Sequence, residues 1–237
     1  ESFLLMTMFS SLWFSAPIVT GTNTANATST SNTAVHTFSG QSLGAADGSR
    51  IIAVAVGAGW NNLNGRTLNS VTVGGTSLTK RVGAVAVNKG IENFRAEIWS
   101  GSVPSGTTAD IVVTLSEAIG ISRGVGISVH SLVGAVAVTA NATATDNDVG
   151  GASDPLELDV NTQGGGYVIG YAVSFKVAPS AGTWSGLTEL TDLMTGNMNQ
   201  TAANYSPTSN ETPRTITLTF TISSNGQAGV AASWFPA

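Results

Sequence analysis

The chain has 237 residues, a formal net charge of -5 and no cysteine. This length is enough for one large β-sandwich or two small ones, each with a hydrophobic core. Scattered basic residues and a negative net charge argue against nucleic-acid binding, and the lack of cysteine excludes disulfides, thiol nucleophiles and cysteine-based zinc sites.

Charged residues form only 10% of the chain, against roughly 25% in typical globular domains. The surface must therefore be covered by hydroxyl and amide groups, or by neighbouring subunits. Burial in an assembly is the simplest explanation for this composition.

Residues 1–34 are predicted to form an attachment arm that carries an apolar tip and a spacer. The tip, Phe3 to Phe14, lacks the basic start and the cleavage site of a signal peptide, and it is too short and too rich in hydroxyls to span a membrane. If the tip is helical, one side carries the apolar residues Leu5, Met8, Phe9, Leu12 and Trp13. The sequence favours a one-sided docking helix, and the alternative is a segment packed on the chain's own body.

The spacer, Thr20 to Ala34, consists almost entirely of Thr, Ser, Asn and Ala. Such a composition is typical of a flexible tether. We expect this spacer to give the tip enough reach to contact an adjacent subunit.

Residues 35–237 are predicted to fold as an all-β, antiparallel β-sandwich, either jelly-roll-like or built from two similar lobes. Short apolar runs with period-two alternation, punctuated by Gly, Asn and Pro, mark the strands. The predicted strands are Ile51 to Val56, Ser70 to Val73, Val82 to Val87, Phe94 to Trp99, Asp110 to Leu115, Val125 to Leu132, Ala135 to Ala140, Leu156 to Val160, Tyr167 to Val177, Thr215 to Ile222 and Ala228 to Trp234.

A weak internal repeat relates residues 35–134 to residues 135–237. The run that starts at Asp110 matches the run that starts at Thr215, and the order of the neighbouring elements agrees. The pattern predicts a duplicated half or two similar lobes. The alternative is a chance likeness between alternating Val/Thr strands.

Acidic residues in one segment have the spacing of a calcium-binding loop. Asp146, Asp148, Asp154 and Glu157 occupy loop positions 1, 3, 9 and 12, with a glycine at position 6. Gly150 at position 5 provides no ligand, and the sequence that follows is typical of a strand instead of a helix. The alternatives are a calcium loop on a β-scaffold and a polar turn between strands.

Other residue patterns give no catalytic or cofactor assignment. His36 and His130 lie in no hydrolase or metalloprotease motif, and the acidic pairs Glu92 with Glu97 and Glu189 with Asp192 are no closer than chance allows. Trp60 lies between Gly59 and two asparagines, as a carbohydrate-binding platform would require. The alternative for Trp60 is a place in the core.

Five segments together resemble β-domains of virion structural proteins of tailed bacteriophages, including capsid decoration and fibre-like proteins. These segments are Phe38-Ser-Gly-Gln-Ser-Leu-Gly, Arg50-Ile-Ile-Ala-Val-Ala-Val, Ser70-Val-Thr-Val-Gly-Gly-Thr-Ser-Leu, Ala96-Glu-Ile-Trp and Val103-Pro-Ser-Gly-Thr-Thr-Ala-Asp-Ile-Val-Val-Thr. The resemblance covers roughly residues 36–235 and implies a non-enzymatic role on a particle surface. It also implies an N-terminal arm that ties the module to its neighbours, and it transfers no site residues.

The sequence therefore predicts a non-enzymatic structural protein of a virion surface or an extracellular assembly. We expect its partners to be copies of itself and other structural subunits, bound through the arm, and we expect no cofactor, nucleic acid or membrane. The alternative function is a surface carbohydrate-binding module or adhesin.

Overall fold

The structure is a computed structural model that describes residues 16–60, 65–88, 92–120, 122–148, 155–175, 181–220 and 226–237. These residues form an all-β fold without a helix, and none of them forms a helix that is long and apolar enough to cross a membrane. The strands are β1 (Thr20–Ser29), β2 (Val35–Ser42), β3 (Ile51–Trp60), β4 (Leu68–Val73), β5 (Thr76–Ser77), β6 (Thr79–Asn88), β7 (Glu92–Ser102), β8 (Thr108–Leu115), β9 (Val125–Val133), β10 (Ala142–Asp148), β11 (Leu156–Thr162), β12 (Tyr167–Phe175), β13 (Gly182–Ser185), β14 (Thr188–Thr195), β15 (Met198–Tyr205), β16 (Glu211–Phe220) and β17 (Gln227–Trp234).

The strands form four antiparallel sheets, which stack as four layers. Sheet 1 has the order β2-β8-β4-β5, sheet 2 has β1-β9-β3-β7-β6, sheet 3 has β10-β17-β12-β15-β14, and sheet 4 has β11-β16-β13. Separate hydrophobic cores lie between sheets 1 and 2, between sheets 2 and 3, and between sheets 3 and 4. The chain therefore consists of two β-sandwiches packed against each other through their larger sheets.

Each sandwich has jelly-roll connectivity. In the first half, β1 pairs with β9, β2 with β8, β3 with β7 and β4 with β5. In the second half, β10 pairs with β17, β11 with β16 and β12 with β15. The runs that begin at Asp110 and Thr215 belong to β8 and β16, which occupy equivalent places in the two halves.

The two halves face each other with approximate two-fold symmetry. Strand β1 of the first half packs over β14 of the second, and β10 of the second half packs over β6 of the first. Equivalent strands of the two halves thus make the same contact twice, as in a symmetric dimer interface. Here that interface lies within one chain.

Burial on both faces explains the continuous apolar strands of sheets 2 and 3. In β3, Ile52 and Val54 point into the core shared with sheet 1, whereas Ile51 and Ala53 point into the core shared with sheet 3. No residue of β3 is more than slightly exposed. Strands of this kind read as continuous hydrophobic runs because neither face meets water.

Glycines of sheet 2 accommodate bulky side chains of sheet 3. The ring of Tyr167 fills the space where a side chain on Gly21 would lie, and the amide of Gln200 fills the corresponding space at Gly57 and Gly126. The two sheets can approach closely at these points because glycine has no Cβ atom.

The prediction of a flexible spacer at Thr20 to Ala34 is wrong for most of this segment, because β1 occupies Thr20–Ser29. This strand forms the edge of sheet 2 and pairs with β9. Only Ala25 and Ala27 pack against the core below, so β1 needs no large apolar residue. The predicted tip, Phe3 to Phe14, lies outside the described residues.

The prediction of a strand at Ala135 to Ala140 is also wrong. This segment connects the two halves and forms only an isolated bridge between Ala135 and Pro236. Its apolar residues Ala135, Val138 and Ala140 pack against the core between sheets 2 and 3. Packing over a sheet edge therefore explains the apolar run that resembled a strand.

Candidate functional site

Trp60 is not available to a carbohydrate, so its assignment as a binding platform is wrong. The side chain is 1% exposed and packs in the core between sheets 1 and 2. Its Nε1 donates a hydrogen bond to the carbonyl oxygen of Glu117 at 3.3 Å. Trp99, Trp184 and Trp234 are buried as well, as expected for side chains with so much apolar area.

The predicted calcium loop begins on one strand and ends on the next. Asp146 and Asp148 lie on β10 and Glu157 lies on β11, while Asp154 is outside the described residues. The Asp146 carboxylate accepts hydrogen bonds from the backbone N–H of Asn147 at 2.8 Å and from that of Glu157 at 2.7 Å. In the part of the chain that the structure describes, no three metal-ligating side chains are grouped. Calcium binding stays a prediction for the complete loop.

His36 has a structural place on β2. Its Nδ1 lies 2.9 Å from Ser29 Oγ, and its Nε2 lies 3.0 Å from the carbonyl oxygen of Thr33. Burial lowers the pKa of His36, although the bond to Thr33 opposes this effect. The neutral ring therefore holds the turn between β1 and β2.

His130 belongs to a buried polar network between sheets 2 and 3. Its Nε2 lies 3.1 Å from Ser128 Oγ and its Nδ1 lies 3.2 Å from the hydroxyl of Tyr167. Asn23 donates to Ser128 Oγ at 2.9 Å, and Asn204 donates to the Tyr167 hydroxyl at 2.6 Å. The network links the two halves of the chain.

The Ser128 and His130 pair lacks the features of a catalytic nucleophile and base. Both side chains are fully buried, and the second ring nitrogen of His130 faces the Tyr167 phenol, where a catalytic triad has a carboxylate. Burial lowers the pKa of His130 to about 3 and raises the pKa of Tyr167 to about 12. Both groups are therefore neutral at physiological pH.

The acidic residues Glu97, Glu189 and Asp192 have structural partners, and the side chain of Glu92 lies outside the described part of the structure. Glu97 is buried on β7, where Lys80 Nζ and Arg95 NH1 each lie 3.6 Å from its Oε1. Glu189 and Asp192 are neighbours on β14; burial and the Asp192 carboxylate raise the pKa of Glu189. Asp192 also accepts a hydrogen bond from the backbone N–H of Gly182 at 3.1 Å. These acids are engaged with neighbouring groups of the fold.

Arg50 has a structural role that its sequence context did not predict. Its guanidinium is fully buried and donates to six backbone carbonyl oxygens at 2.7–3.3 Å. The acceptors belong to two loops and are the carbonyl groups of Leu43, Gly44, Ala45, Val103, Ser105 and Gly106. The planar fork of five N–H donors suits such a cage.

Two concave sites lie at one end of the second sandwich. The larger, called the groove, has a volume of about 690 Å³ and lies between Ala16 to Gly21, Gly164 to Gly166 and Ser206 to Asn210. The smaller, called the amide cavity, has a volume of about 230 Å³. The amide cavity is lined by Asn141, Ala142, Asn161, Thr162, Gln163, Asn210, Thr212 and Phe235.

The amide cavity opens where the edges of sheets 3 and 4 meet. Asn161 and Thr162 end β11, Ala142 begins β10, and Phe235 directly follows β17. A hydrogen bond of 2.7 Å from Ser233 Oγ to the carbonyl oxygen of Asn161 joins the two sheets beside it. Its lining residues are distant in sequence, so no local motif could have predicted this site.

Comparisons with known proteins give no family assignment. No protein-family model and no curated protein matches the chain. The C-terminal domain of the AgI/II polypeptide BspA of Streptococcus agalactiae is 10% identical over 78% of this chain and 75% of that domain, with a TM-score of 0.19. A structure called BspA_C_mut gives 10% identity over 78% of this chain and 76% of its own, with a TM-score of 0.20. TM-scores this low do not establish a common fold.

Proposed function

We propose that this protein is a non-enzymatic structural module of a larger extracellular or particle-surface assembly. In the finer form of the proposal, the assembly is the virion of a tailed bacteriophage and the module is a decoration or fibre-type protein. The arm at residues 1–15 binds copies of the chain or other structural subunits. The observation that carries the proposal is the low share of charged residues, which form 10% of the chain.

Most of the described basic side chains are buried or half-buried, and the exposed charges are mainly acidic. Arg50 and Arg123 are buried, and the guanidinium of Arg123 lies 4.4 Å from the ring centroid of Phe175. Arg214 pairs with Glu211 at 2.7 Å. Among the described basic residues, only Lys80 is exposed. A surface with so little charge is suited to contact with other protein surfaces, because association does not require the desolvation of ions.

The outward faces of sheets 1 and 4 carry many hydroxyl groups, together with the exposed acids Asp110 on sheet 1 and Glu157 and Asp159 on sheet 4. On sheet 1, Thr37, Val112 and Thr72 are directly opposite one another on adjacent strands. On sheet 4, Thr183 and Thr219 are paired in the same way. Such faces present a surface of hydroxyl groups with few charges to a neighbour and support the proposed role in packing.

The arm is tested by comparing three forms of the protein by sedimentation velocity. These are the full chain, a chain without residues 1–15, and a chain in which residues 1–15 are replaced by a Gly/Ser sequence of equal length. We expect self-association, or binding to co-purified subunits, only for the full chain. Equal association of the Gly/Ser form would overturn the role of the apolar tip, and a fully monomeric full chain that binds no subunit would overturn the assembly function.

A further inference from the structure

We propose that the amide cavity is a binding site for a neutral saccharide ring. The proposal concerns a surface that the assembly function does not use. It rests on four properties of the cavity: a buried hydroxyl without a partner, amide groups held in fixed orientations, a lining without charge, and an aromatic wall.

The hydroxyl of Thr162 is the first observation. Thr162 is 3% exposed and lines the amide cavity, yet its Oγ1 has no hydrogen-bond partner among the described residues. Buried hydroxyls are nearly always hydrogen-bonded, so an exception requires a specific explanation. Of the buried polar atoms that have no partner among the described residues, the Thr162 hydroxyl is the one whose residue lines either concave site. The Thr162 Oγ1 atom is shielded from solvent, so a ligand hydroxyl in the cavity would supply the missing hydrogen bond once the Thr162 side chain turns toward it.

Two carboxamides of the lining are fixed by the backbone. Asn141 Oδ1 accepts a hydrogen bond from the backbone N–H of Phe235 at 2.8 Å, and Asn210 Oδ1 accepts one from that of Gly164 at 2.9 Å. These bonds leave the NH2 groups of both side chains as donors. Donors held in this way lose little conformational entropy when a ligand binds.

The lining excludes charged ligands by its chemistry. It contains amide, hydroxyl, methyl and phenyl groups, and no charged side chain. The adjacent charges of Glu211 and Arg214 are paired with each other at 2.7 Å, and Arg214 lies 3.7 Å from the ring centroid of Tyr205. A ligand ion would therefore lose its hydration without gaining a counter-charge. The cavity favours a ligand with several neutral hydroxyl groups.

The Phe235 side chain and the volume of the cavity limit the ligand to a single sugar ring. Phe235 is half-buried, and its backbone N–H is held by Asn141, so its ring forms an apolar wall for the C–H face of a sugar. The volume of about 230 Å³ is below the roughly 300–1,000 Å³ of sites for drug-sized ligands. A single pyranose fits this combination of an apolar wall and convergent polar groups.

The test is saturation-transfer-difference NMR on the full chain. The probes are the methyl glycosides of glucose, galactose, mannose and N-acetylglucosamine, with glucuronate and glucosamine as charged comparisons. We expect saturation transfer to at least one neutral glycoside and at least tenfold weaker binding of both charged sugars. No transfer to any of the four glycosides, or equal binding of the charged sugars, would overturn the proposal.

Matched threonine variants locate the site. Thr162→Val removes the hydroxyl with little change in shape, and we expect it to weaken binding at least tenfold without lowering the melting midpoint. Thr162→Ser keeps the hydroxyl and should bind the glycoside about as tightly as the wild type does. The control is Thr195→Val, because the Thr195 hydroxyl is also buried and has no partner in the described part of the chain, but Thr195 does not line the cavity. If Thr162→Val binds as tightly as the wild type, the site lies elsewhere and the proposal fails, whatever the sedimentation of the protein.

Discussion

Gly57 of β3 lies directly against Tyr171 of β12, where the two halves of the chain meet. A Cβ atom on Gly57 would lie 2.4 Å from Val173 Cγ1, 2.5 Å from Gln200 Oε1 and 3.0 Å from Tyr171 Cε1. Tyr171 donates a hydrogen bond of 2.5 Å to Gln200 Oε1, so the space at Gly57 admits a hydrogen-bonded pair into an apolar interface. Close contact between the sandwiches depends on this glycine.

We predict that Gly57→Ala destabilises the protein by about 1–3 kcal/mol, the usual range for overpacking a core. The added methyl group must displace the side chain of Val173 and the amide of Gln200, and it crowds the rigid ring of Tyr171. The measurement is urea unfolding followed by tryptophan fluorescence. Gly48→Ala is the control because its methyl group would meet no atom within 4 Å. Equal unfolding midpoints for the two variants would contradict tight packing at Gly57.

The buried His130 predicts a loss of stability in acid. Its pKa is about 3 in the folded protein and about 6.5 in an unfolded chain. Between these values the unfolded state binds one proton more, so the free energy of unfolding falls as the pH decreases from about 6.5 to about 3. The slope from this residue is about 1.4 kcal/mol per pH unit.

His130→Gln should remove that slope. As the pH falls, the free energy of unfolding should therefore decrease less in the variant than in the wild type. Urea unfolding at several pH values between 4 and 8 provides the measurement. The comparison at each pH cancels the contribution of Glu97, whose pKa is raised by burial. Parallel pH profiles would show that His130 does not titrate in this way.

Arg50 holds two loops through its six hydrogen bonds to backbone carbonyl groups. We predict that Arg50→Lys lowers the free energy of unfolding by about 3 kcal/mol or more, because lysine has only three donors and leaves buried carbonyl groups unpaired. Denaturant unfolding gives the value. Arg81→Lys is the control, since Arg81 is only half-buried and bonds mainly to Ser100. Similar effects of both variants would contradict a special role for the cage.

Strand β1 predicts different outcomes for two deletions. Removal of residues 1–15 leaves every described strand in place and should not change the unfolding midpoint. Removal of residues 1–34 deletes β1, exposes the edge of β9 and breaks the bond from Asn23 to Ser128. We expect the longer deletion to lower the midpoint and to promote aggregation through the free edge. Equal midpoints for the two deletions would show that β1 adds nothing to the fold.

Hydrophobic alternation in the sequence determined the all-β class and most of the strands, since period-two patterns depend only on which faces are buried. The runs that form β3, β9, β12 and β17 were recognisable because both of their faces lie in a core. The same rule failed for β1, whose side chains are half-exposed at a sheet edge and read as a polar spacer. It failed in the opposite sense at Ala135 to Ala140, where a connecting segment is apolar because it packs on a core.

The candidate site required the tertiary structure. Trp60 lies beside asparagines in the sequence, but its burial is decided by sheet 1, which packs over the end of β3. The amide cavity joins Asn141, Thr162, Asn210 and Phe235 from four parts of the chain. The charge-poor sequence by itself determined that hydroxyl and amide groups would cover much of the surface, because there are few charged side chains to place. Only the stacking of four sheets decided which neutral groups converge, because residues distant in sequence meet only when the sheets pack.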